Sequence, residues 1–503
     1  MNHDSASASK RSPSRRRFLR GSASAGAAIF AAPFVLGADV DPKADRVKGD
    51  SGKGDAGKPK TDPPKAEATK INPAAASTEA NSRINVALIG AGGQGRSDMQ
   101  GLLNCKQNIV AICDPDERQI AEARKDGKEG TAHAKAYNDY RKLLEDAKTI
   151  DAVLIATPDH WHAPLCKAFI KAGKHVYCEK PLTRTLYEAR ELRELVRANP
   201  KVVTQMGNQG SAEQSLRRSV ELIRAGALGQ VTEVHSWLND VGRGADRPSG
   251  EDAVPAGFNW DYWCGPSPYR PYKAGAYHPA AWRAWFDFGG GPLADFTCHI
   301  YNLALRSLDL SYATRVQVEG EGLAKESFAK KTHLQMHFAA RKQSDNDRQL
   351  EPVTLHWYNG GLRPSDEALK DVIAANPKVP HGCLIVGEKG IIWCNPWNND
   401  ARIKLHDDEK LRGVSDHPPT KEIPKTLPRG VGHMQEWVNA MNGKGKTYSE
   451  FDFGGHLTEI GLTGVLGVRL GHDFEWNGET QTSPNSPEAA AIIKPVYRKS
   501  YVL

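Results

Sequence analysis

Short apolar runs alternate with amphipathic stretches in the part of the chain that begins at residue 83. The apolar runs predict strands, and they lie at 84–89, 109–113, 152–156, 175–178 and 202–206. The stretches between them predict helices, which begin at about residue 93, at Glu117 and near Tyr140, and extend over 163–172 and 186–198. Strands that alternate with helices are typical of a doubly wound parallel sheet, which binds its ligands at the carboxyl ends of its strands.

The pattern changes after residue 207. Helices are predicted only at about 212–225, 432–442 and 455–470. Strand-like runs lie between them, at 231–238, 315–320, 333–339, 353–358, 383–386, 390–394 and 402–405. Because no regular helices separate these runs, they predict an α+β domain with an open, mainly antiparallel sheet. The insert at 240–288, rich in Trp, Tyr, Pro and Gly, is too long for an ordinary connection and indicates a functional loop or a lid.

A glycine-rich turn follows the first predicted strand. Its sequence is Gly90-Ala91-Gly92-Gly93-Gln94-Gly95, and the acidic residue Asp114 closes the second strand. Gly90 permits a tight turn, Gly92 lets backbone N–H groups approach a pyrophosphate, and Gly95 lets the helix lie close to its strand. Asp114 would accept hydrogen bonds from a ribose 2′-hydroxyl and repel a 2′-phosphate. The segment predicts a Rossmann domain that binds NAD in preference to NADP, and the alternative is a loop that merely needs glycine.

The net charge of +7 is concentrated at the N-terminus. Residues 1–20 carry six Lys/Arg against one acidic residue, whereas residues 83–503 carry 53 Lys/Arg against 51 acidic residues. A nearly neutral folded part gives no reason to expect a nucleic-acid partner, or a membrane partner beyond an N-terminal anchor.

The N-terminus is typical of an export signal. The run Ser14-Arg15-Arg16-Arg17-Phe18-Leu19-Arg20 resembles the twin-arginine consensus, and an uncharged Ala/Gly-rich segment, 21–38, follows it. The alternative is a chance basic patch before a buried helix. Residues 39–82 contain almost no large apolar side chain, so they predict a disordered linker. The sequence therefore predicts a periplasmic protein, and it leaves open whether the signal is cleaved or kept as an anchor.

Eight cysteines form no CxxC pair. Several lie in apolar runs, where a buried free thiol is the usual state. This favours a chain that folds in the reducing cytosol and is exported afterwards over a disulfide-built secreted scaffold.

Two polar clusters directly follow neighbouring predicted strands. The first is Thr157-Pro158-Asp159-His160-Trp161-His162, and the second is Glu179-Lys180-Pro181. Both would lie at the carboxyl edge of the sheet, where a nicotinamide must be. Lys180, fixed between a strand end and a proline, would meet a substrate hydroxyl, although a lysine at such a place is ordinarily a solvated surface charge.

A third cluster, far along the sequence, is Gly289-Gly290-Gly291-Pro292-Leu293-Ala294-Asp295-Phe296-Thr297-Cys298-His299. A helix that begins near Pro292 places Asp295 and His299 one turn apart on one face. His299 would take the proton of a sugar hydroxyl, Asp295 would orient it or contact the substrate, and Lys180 would stabilise the alkoxide. The alternatives are an ordinary helical ion pair or a metal pair. No metal site is predicted, because two ligands lack a third nearby.

These motifs, in this order and spacing, resemble the Gfo/Idh/MocA family of oxidoreductases, over roughly residues 83–503 and most specifically at Glu179-Lys180-Pro181. The resemblance implies an N-terminal Rossmann domain, a C-terminal α/β domain whose sheet often mediates dimers or tetramers, and bound NAD(H) or NADP(H). It implies Lys180, Asp295 and His299 as the catalytic set, with His299 as the proton acceptor. It also implies that Asp159, His160 and His162 flank the nicotinamide pocket.

The predicted site residues then fall into three groups. The catalytic residues are Lys180, Asp295 and His299. The cofactor residues are Gly90, Gly92, Gly93, Gln94, Gly95, Asp114, Thr157, Pro158, Asp159, His162, Glu179 and Lys180. The stretch 278–286 is similar to the substrate wall of a secreted subgroup, although its aromatic residues would equally suit the core of a lid. The substrate residues are His278, Trp282, Arg283 and Trp161.

The predicted organisation is a signal segment at 1–38, a linker at 39–82, an NAD-binding domain at 83–207 and a substrate and oligomerisation domain at 208–503. The predicted function is oxidation of a sugar or polyol hydroxyl by hydride transfer to a tightly bound nicotinamide, in a homodimer or homotetramer. Two alternatives stay open. One is an NAD-dependent glycoside hydrolase without net redox. The other is a non-catalytic sugar-binding protein, which would be expected to lose Lys180 or His299.

Overall fold

The first sheet of the computed structural model, which describes residues 83–378 and 381–501, has six parallel strands in the order β3-β2-β1-β4-β5-β6. The strands are β1 (Asn85–Ile89), β2 (Asn108–Cys113), β3 (Lys135–Tyr137), β4 (Ala152–Ile155), β5 (His175–Cys178) and β6 (Thr204–Met206). The helices between them are α1 (Gly93–Asn104), α2 (Glu117–Gly127), α3 (Tyr140–Glu145), α4 (Asp159–Lys171) and α5 (Leu186–Ala198). Order and direction confirm the predicted doubly wound Rossmann sheet.

The second sheet has nine strands in the order β16-β15-β14-β13-β7-β12-β9-β8-β17, and β10 and β11 form a separate hairpin. The strands are β7 (Val231–Leu238), β8 (Arg315–Glu321), β9 (Lys331–Phe338), β10 (Arg341–Lys342), β11 (Gln349–Leu350), β12 (Val353–Asn359), β13 (Gly382–Gly387), β14 (Gly390–Cys394), β15 (Ala401–Leu405), β16 (Arg412–Gly413) and β17 (Phe474–Glu475). Every pair is antiparallel except β7 with β12. The predicted open, mainly antiparallel sheet is confirmed.

Helices flank this second sheet and carry the chain back to the first. They are α6 (Gln214–Arg224), α7 (Trp260–Cys264), α8 (Gly291–Ile300), α9 (Asn302–Leu308), α10 (Lys370–Ala375), α11 (His433–Met441), α12 (Phe451–Leu470) and α13 (Ala489–Ile493). The long helix α12 packs between α8 and α5. Glu459 of α12 is almost fully buried and forms ion pairs of 3.0 Å with Arg190 and Arg193 of α5. Buried charge of this kind persists only when it is paired, so these pairs fix α12, and with it α8, against the first sheet.

The second domain contains short elements that were not predicted, namely α7, α9, α10, α13, β10, β11, β16 and β17. The structure also differs from the predictions in the following respects. Helix α4 begins at Asp159 rather than at residue 163. Pro158 is its N-cap residue, with φ −59° and ψ 152°, and residues 159–162 already form the first turn. The short strand β3 is not predicted, since only Tyr137 of its three residues is buried. The parallel pairing of β7 with β12 joins strands far apart in sequence, which an alternating pattern does not encode.

The insert at 240–288 forms a small core of its own. Its aromatic side chains, among them Trp260, Trp263, Tyr277 and Trp285, are buried together. Trp260 stacks on Trp263 with ring centroids 4.6 Å apart and 13° between the ring planes. The aromatic residues of this segment therefore mainly hold the insert together.

Within the described residues, no helix combines the length and the apolarity that crossing a bilayer requires. All eight cysteines are free thiols. The predicted signal segment at 1–38 and the predicted linker at 39–82 lie outside the described residues.

Candidate active site

The glycine turn at the end of β1 is closely packed against the neighbouring strand end. Gly90 has φ +89°, a conformation that favours glycine, and an added Cβ would lie 2.6 Å from the carbonyl carbon of Ala156. A Cβ on Gly95 would lie 2.0 Å from the carbonyl oxygen of Gly90. In contrast, Cβ atoms on Gly92 and Gly93 would meet nothing within 4 Å. The turn therefore leaves open space above the N-terminus of α1, as a bound pyrophosphate requires.

Asp114, at the end of β2, connects this turn to the second strand. Its Oδ2 accepts a 2.8 Å hydrogen bond from the backbone N–H of Ala91, and its Oδ1 accepts one of 2.9 Å from that of Asp116. Burial raises the pKa of Asp114 to about 7. Each carboxyl oxygen keeps a second acceptor position, so Asp114 is oriented by the turn and can still accept a bond from a ribose hydroxyl.

Lys180 and Asp295 meet in a partly buried ion pair, although 115 residues separate them. Lys180 follows β5 and Asp295 lies on α8. The Nζ atom of Lys180 donates to Oδ1 of Asp295 over 2.7 Å and to its carbonyl oxygen over 2.9 Å. The lysine is therefore aimed at the edge of the first sheet and is not the solvated surface charge that the sequence left open.

His299 lies one turn further along α8 and is 2% exposed. Its Nδ1 atom is buried without a hydrogen-bond partner among the residues that the structure describes. The helix end is fixed because the side-chain amide of Asn398 donates a 2.9 Å bond to the carbonyl oxygen of His299. Burial, together with the charge of Lys180, lowers the pKa of His299 to about 3, so the ring is neutral at pH 7 and can accept a proton.

Two further charged groups surround the Lys180–Asp295 pair. Nε of Arg283 lies 3.4 Å from Oδ1 of Asp295. Burial alone would raise the pKa of Asp295, but the charges of Lys180 and Arg283 outweigh it and hold that pKa well below its usual range. Asp159 lies nearby, and burial together with the negative charge of Asp295 raises its pKa well above the usual range. The same surroundings thus favour the ionised form of Asp295 and disfavour ionisation of Asp159.

The two histidines of the first cluster are held by backbone groups. Nδ1 and Nε2 of His162 each lie 2.8 Å from a carbonyl oxygen, those of Pro181 and Thr157 respectively. His162 therefore joins the two strand ends that carry the polar clusters. Nε2 of His160 lies 2.9 Å from the carbonyl oxygen of Trp263, and burial lowers the pKa of His160 to about 3. His160 thus connects α4 with the insert.

Trp161 requires a correction, because the sequence placed it at the substrate. It is 4% exposed, stacks on Tyr262 at 5.2 Å, and donates from Nε1 to the carbonyl oxygen of Trp263. These contacts use both the ring face and the polar edge, so Trp161 packs the insert against α4 and offers no surface to a ligand. The reason is the early start of α4, which turns residue 161 toward the insert.

The predicted substrate residues of the insert do not stay together. Arg283 lies beside Asp295, with its guanidinium 4.4 Å from the ring of Trp282. His278 instead has its Nε2 atom 3.3 Å from Oδ2 of Asp116, beyond the end of β2. Arg283 and Trp282 therefore belong to the Lys180 end of the sheet, and His278 to the Asp114 end.

Glu179, which the sequence placed among the cofactor residues, forms a buried carboxyl pair with Asp98, which was not predicted. Glu179 accepts bonds from the hydroxyl of Tyr177 and the amide of Gln209, at 3.3 and 3.2 Å. Burial raises the pKa of Glu179 to about 7, and burial together with Glu179 raises that of Asp98 well above its usual range. Gln94 of the glycine turn donates a 3.0 Å hydrogen bond to Asp98. The Asp98–Glu179 pair therefore connects the glycine turn to the end of β5.

Trp397, also absent from the sequence prediction, is the exposed aromatic residue beside His299. It lies in the loop between β14 and β15, is 40% exposed, and its ring centroid is 4.9 Å from that of His299. Phe296 packs beside both rings. Nothing in the local sequence signals this position, because the loop reaches α8 only through the pairing of the second sheet.

Two family models match the chain. Residues 84–206 match an oxidoreductase family model described as an NAD-binding Rossmann fold, and residues 233–341 match the C-terminal alpha/beta domain of the same family. Both models belong to the Gfo/Idh/MocA family of oxidoreductases, so the chain matches this family over residues 84–206 and 233–341. Residues 84–206 therefore match an NAD-binding domain, as the glycine turn and Asp114 predict.

Curated relatives match part of the chain. An inositol 2-dehydrogenase from Salmonella typhimurium is 30% identical over 154 residues, which is 30% of this chain and 45% of the relative. A glycosyl hydrolase family 109 protein from Shewanella sp. (strain ANA-3) is 30% identical over 154 residues, which is 29% of this chain and 33% of the relative. The match thus spans less than half of the length of either relative.

A solved structure shares the two-sheet fold of this chain. The WlbA dehydrogenase from Bordetella pertussis, in complex with NADH and UDP-GlcNAcA, superposes with a TM-score of 0.53 at 16% identity. The superposition covers 78% of this chain and 99% of that one. The likeness extends over both sheets.

Proposed function

We propose that this protein is an NAD-dependent oxidoreductase that oxidises a sugar or polyol hydroxyl. The observation that carries the proposal is the partly buried pair of Lys180 and Asp295, 2.7 Å apart, with the neutral His299 on the next turn of α8. A positive donor and a neutral acceptor at the edge of a Rossmann sheet suit removal of a hydroxyl proton. A binding protein without catalysis would have no use for this arrangement.

The chain's own residues would act on the hydroxyl and its proton. The ammonium group of Lys180 would stabilise negative charge on the substrate oxygen, and His299 would accept the proton as the carbon–oxygen bond becomes a carbonyl. Asp295 holds Lys180 in place through two of its acceptor oxygens. Bound NAD would accept the hydride that leaves the same carbon. Proton and hydride together account for the two-electron oxidation of the alcohol.

The proposal includes export by the twin-arginine route and a cofactor that stays bound. Its support is the run Ser14-Arg15-Arg16-Arg17-Phe18-Leu19-Arg20 with the Ala/Gly-rich segment after it. Outside the cytosol no NAD pool exists, so a released cofactor would end the reaction after one turnover. The nicotinamide would be restored within the cycle by reduction of a second carbonyl. Cell fractionation tests export, and a protein found only in the cytosol would contradict it.

Glycoside hydrolysis is the second candidate, and the likeness to a glycosyl hydrolase family 109 protein favours it. Transient oxidation of a sugar hydroxyl makes the neighbouring C–H acidic. Loss of that proton expels the glycosidic oxygen, water adds, and re-reduction returns the cofactor to its starting state. His299 and Lys180 would serve the same proton steps in this cycle.

One experiment tests the first proposal and separates it from the second. Purified full-length protein, without added NAD, is incubated with free sugars and polyols as hydride donors, a second aldose as acceptor, and p-nitrophenyl glycosides. We expect NAD or NADH to be released on denaturation and the acceptor aldose to be reduced. Release of p-nitrophenol without a reduced acceptor would favour the hydrolase, and a preparation that neither contains nor binds NAD would contradict both.

The acid limb of the kcat/KM profile should lie below the ordinary histidine range. With a pKa of about 3, His299 stays in its base form as the pH falls, whereas a histidine of ordinary pKa, about 6.5, would be about 90% protonated at pH 5.5. We therefore expect kcat/KM at about pH 5.5 to stay within about twofold of its value at about pH 7.5. Steady-state kinetics checks this.

Glu179 supplies the control for that profile, since its pKa of about 7 falls in the same range. The Glu179→Gln variant removes this titration and leaves His299 in place. Asp114 also has a pKa of about 7 and would hold the cofactor, so bound NAD is quantified at both pH values. A tenfold loss of kcat/KM between about pH 7.5 and 5.5 that persists in Glu179→Gln while NAD stays bound would contradict the assignment of His299 as a neutral base.

Trp397 should contribute to substrate binding more than to chemistry. An exposed indole beside the proton acceptor is suited to pack against the C–H face of a sugar ring, at roughly 0.5–1.5 kcal/mol. Trp397→Ala should then raise KM about threefold to tenfold with kcat nearly unchanged. Tyr269→Ala is the matched control, because Tyr269 is an aromatic residue 54% exposed and lies beside Arg498. Equal KM values for all three proteins would exclude Trp397 from the substrate site.

A further inference from the structure

Four histidines line the face of the second sheet that is turned away from the core. His235 lies on β7, His333 and His337 lie on β9, and His356 lies on β12, and their positions alternate with buried apolar ones along β9 and β12. None of them belongs to the Lys180 cluster. Because neighbouring strands bring every second residue of one face together, three of these rings form a continuous row.

The geometry at one end of this row is that of a set of metal ligands. Glu233 and His235 are two residues apart on β7 and so share a face. His356 is the register partner of His235 on the parallel strand β12. One ligand atom from each of Glu233, His235 and His356 lies within 4.8 Å of the other two, and Nε2 of His235 is 3.0 Å from Oε2 of Glu233.

We propose that Glu233, His235 and His356 form a binding site for a zinc-class divalent cation, with water completing the fourth position. Two imidazoles and one carboxylate are a three-ligand set that Zn²⁺ uses with an open position. Imidazole ligands select transition metals over Mg²⁺ and Ca²⁺, which prefer all-oxygen sites. The site joins two parallel strands at the centre of the nine-stranded sheet.

The residues around the three ligands are placed to orient them. Nδ1 of His356 lies 3.2 Å from Nε2 of His333, and Nδ1 of His333 lies 3.5 Å from Oε2 of Glu319. If both Nδ1 atoms carry protons, His356 donates to Nε2 of His333, and His333 donates to Glu319. Nε2 of His356 is then free to bind the metal. A chain that runs from a carboxylate to a ligating histidine is the usual way in which a ligand's tautomer and direction are fixed.

His235 has the matching arrangement on the other side. Its Nδ1 lies 3.3 Å from the hydroxyl oxygen of Tyr358, which can accept the Nδ1 proton and leave Nε2 for the metal. The rings of His235 and His356 stack with centroids 4.6 Å apart and 21° between their planes. Stacking alone would explain the contact between the two rings. It would not explain why Glu233 lies at Nε2 of His235, or why Tyr358 and His333 lie at the Nδ1 atoms of His235 and His356.

The test uses tag-free, full-length protein that has been treated with EDTA and dialysed. Zinc chloride is titrated by calorimetry into the wild type, Glu233→Gln, His356→Gln and the control His337→Gln. The control histidine lies on the same face, with its Nε2 2.8 Å from Oε1 of Gln317. Because Glu233 is exposed, its replacement does not threaten folding.

We expect one equivalent of Zn²⁺ to bind to the wild type and to His337→Gln, and the melting temperature of both to rise with zinc concentration. Affinity should fall about tenfold or more in Glu233→Gln and in His356→Gln. Tyr358→Phe, which keeps the ring and removes the acceptor oxygen, should also lose about tenfold. Absence of zinc binding to the wild type, or the same affinity in all these proteins, would overturn the proposal.

Discussion

Replacing Lys180 by Ala should lower kcat/KM by about 10³-fold or more while NAD stays bound. Among the described residues, the ammonium group of Lys180 is the only Lys or Arg charge within 3 Å of Asp295. It points to the place where the substrate oxygen would carry negative charge. Its loss would also leave Asp295 facing Arg283 alone, so the pKa of Asp295 should rise toward its usual range. Steady-state kinetics measures the first effect, and quantification of nucleotide after denaturation measures retention of NAD.

Lys167→Ala is the matched control. Lys167 lies on α4, and its Nζ forms a 3.1 Å ion pair with Glu191, of the kind that contributes little. This variant should keep wild-type kcat/KM. A Lys180→Ala protein with kcat/KM within threefold of the wild type would remove Lys180 from the catalytic set.

Gly95→Ala should strongly weaken NAD binding, whereas Gly93→Ala should not. A Cβ at position 95 would lie 2.0 Å from the carbonyl oxygen of Gly90, so α1 must move away from β1. Such overpacking costs about 1–3 kcal/mol in ordinary cores, and here it displaces the backbone N–H groups that would hold the pyrophosphate. We expect NAD affinity to fall by more than about tenfold, as measured by calorimetric titration of the nucleotide-free protein.

Gly93 supplies the control, since a Cβ there meets nothing within 4 Å and alanine favours the helix. The melting temperatures of the two variants distinguish loss of binding from loss of folding. Equal NAD affinity of Gly95→Ala and the wild type would contradict the placing of the cofactor over this turn.

The sequence predicted five strands of the first sheet because these strands are largely buried. The predicted bounds of β5 and α5 agree with the structure. For α5 the reason is a capping box, in which Thr185 and Glu188 satisfy each other's backbone N–H groups. The strand β3 has one buried residue and so carries no apolar signal.

The candidate site was predictable where a strand end or a helical spacing fixes a side chain. The sequence placed Lys180 at a strand end and Asp295 one turn before His299, and the structure brings Lys180 to Asp295. Sequence could not place Trp397, because its position depends on the pairing of β14 with β15 and on the Asn398 contact. It also misassigned Trp161, since periodicity does not say whether an aromatic residue faces a crevice or an insert.

Transfer of deuterium from substrate to cofactor tests the central claim most directly. The protein is incubated with sugars and polyols that carry deuterium at each hydroxyl-bearing carbon, and the nucleotide released on denaturation is examined by mass spectrometry. We predict that one of these substrates places deuterium on the nucleotide in the wild type and that none does so in Lys180→Ala. A wild-type protein that binds NAD but leaves it free of deuterium with every substrate would contradict the account.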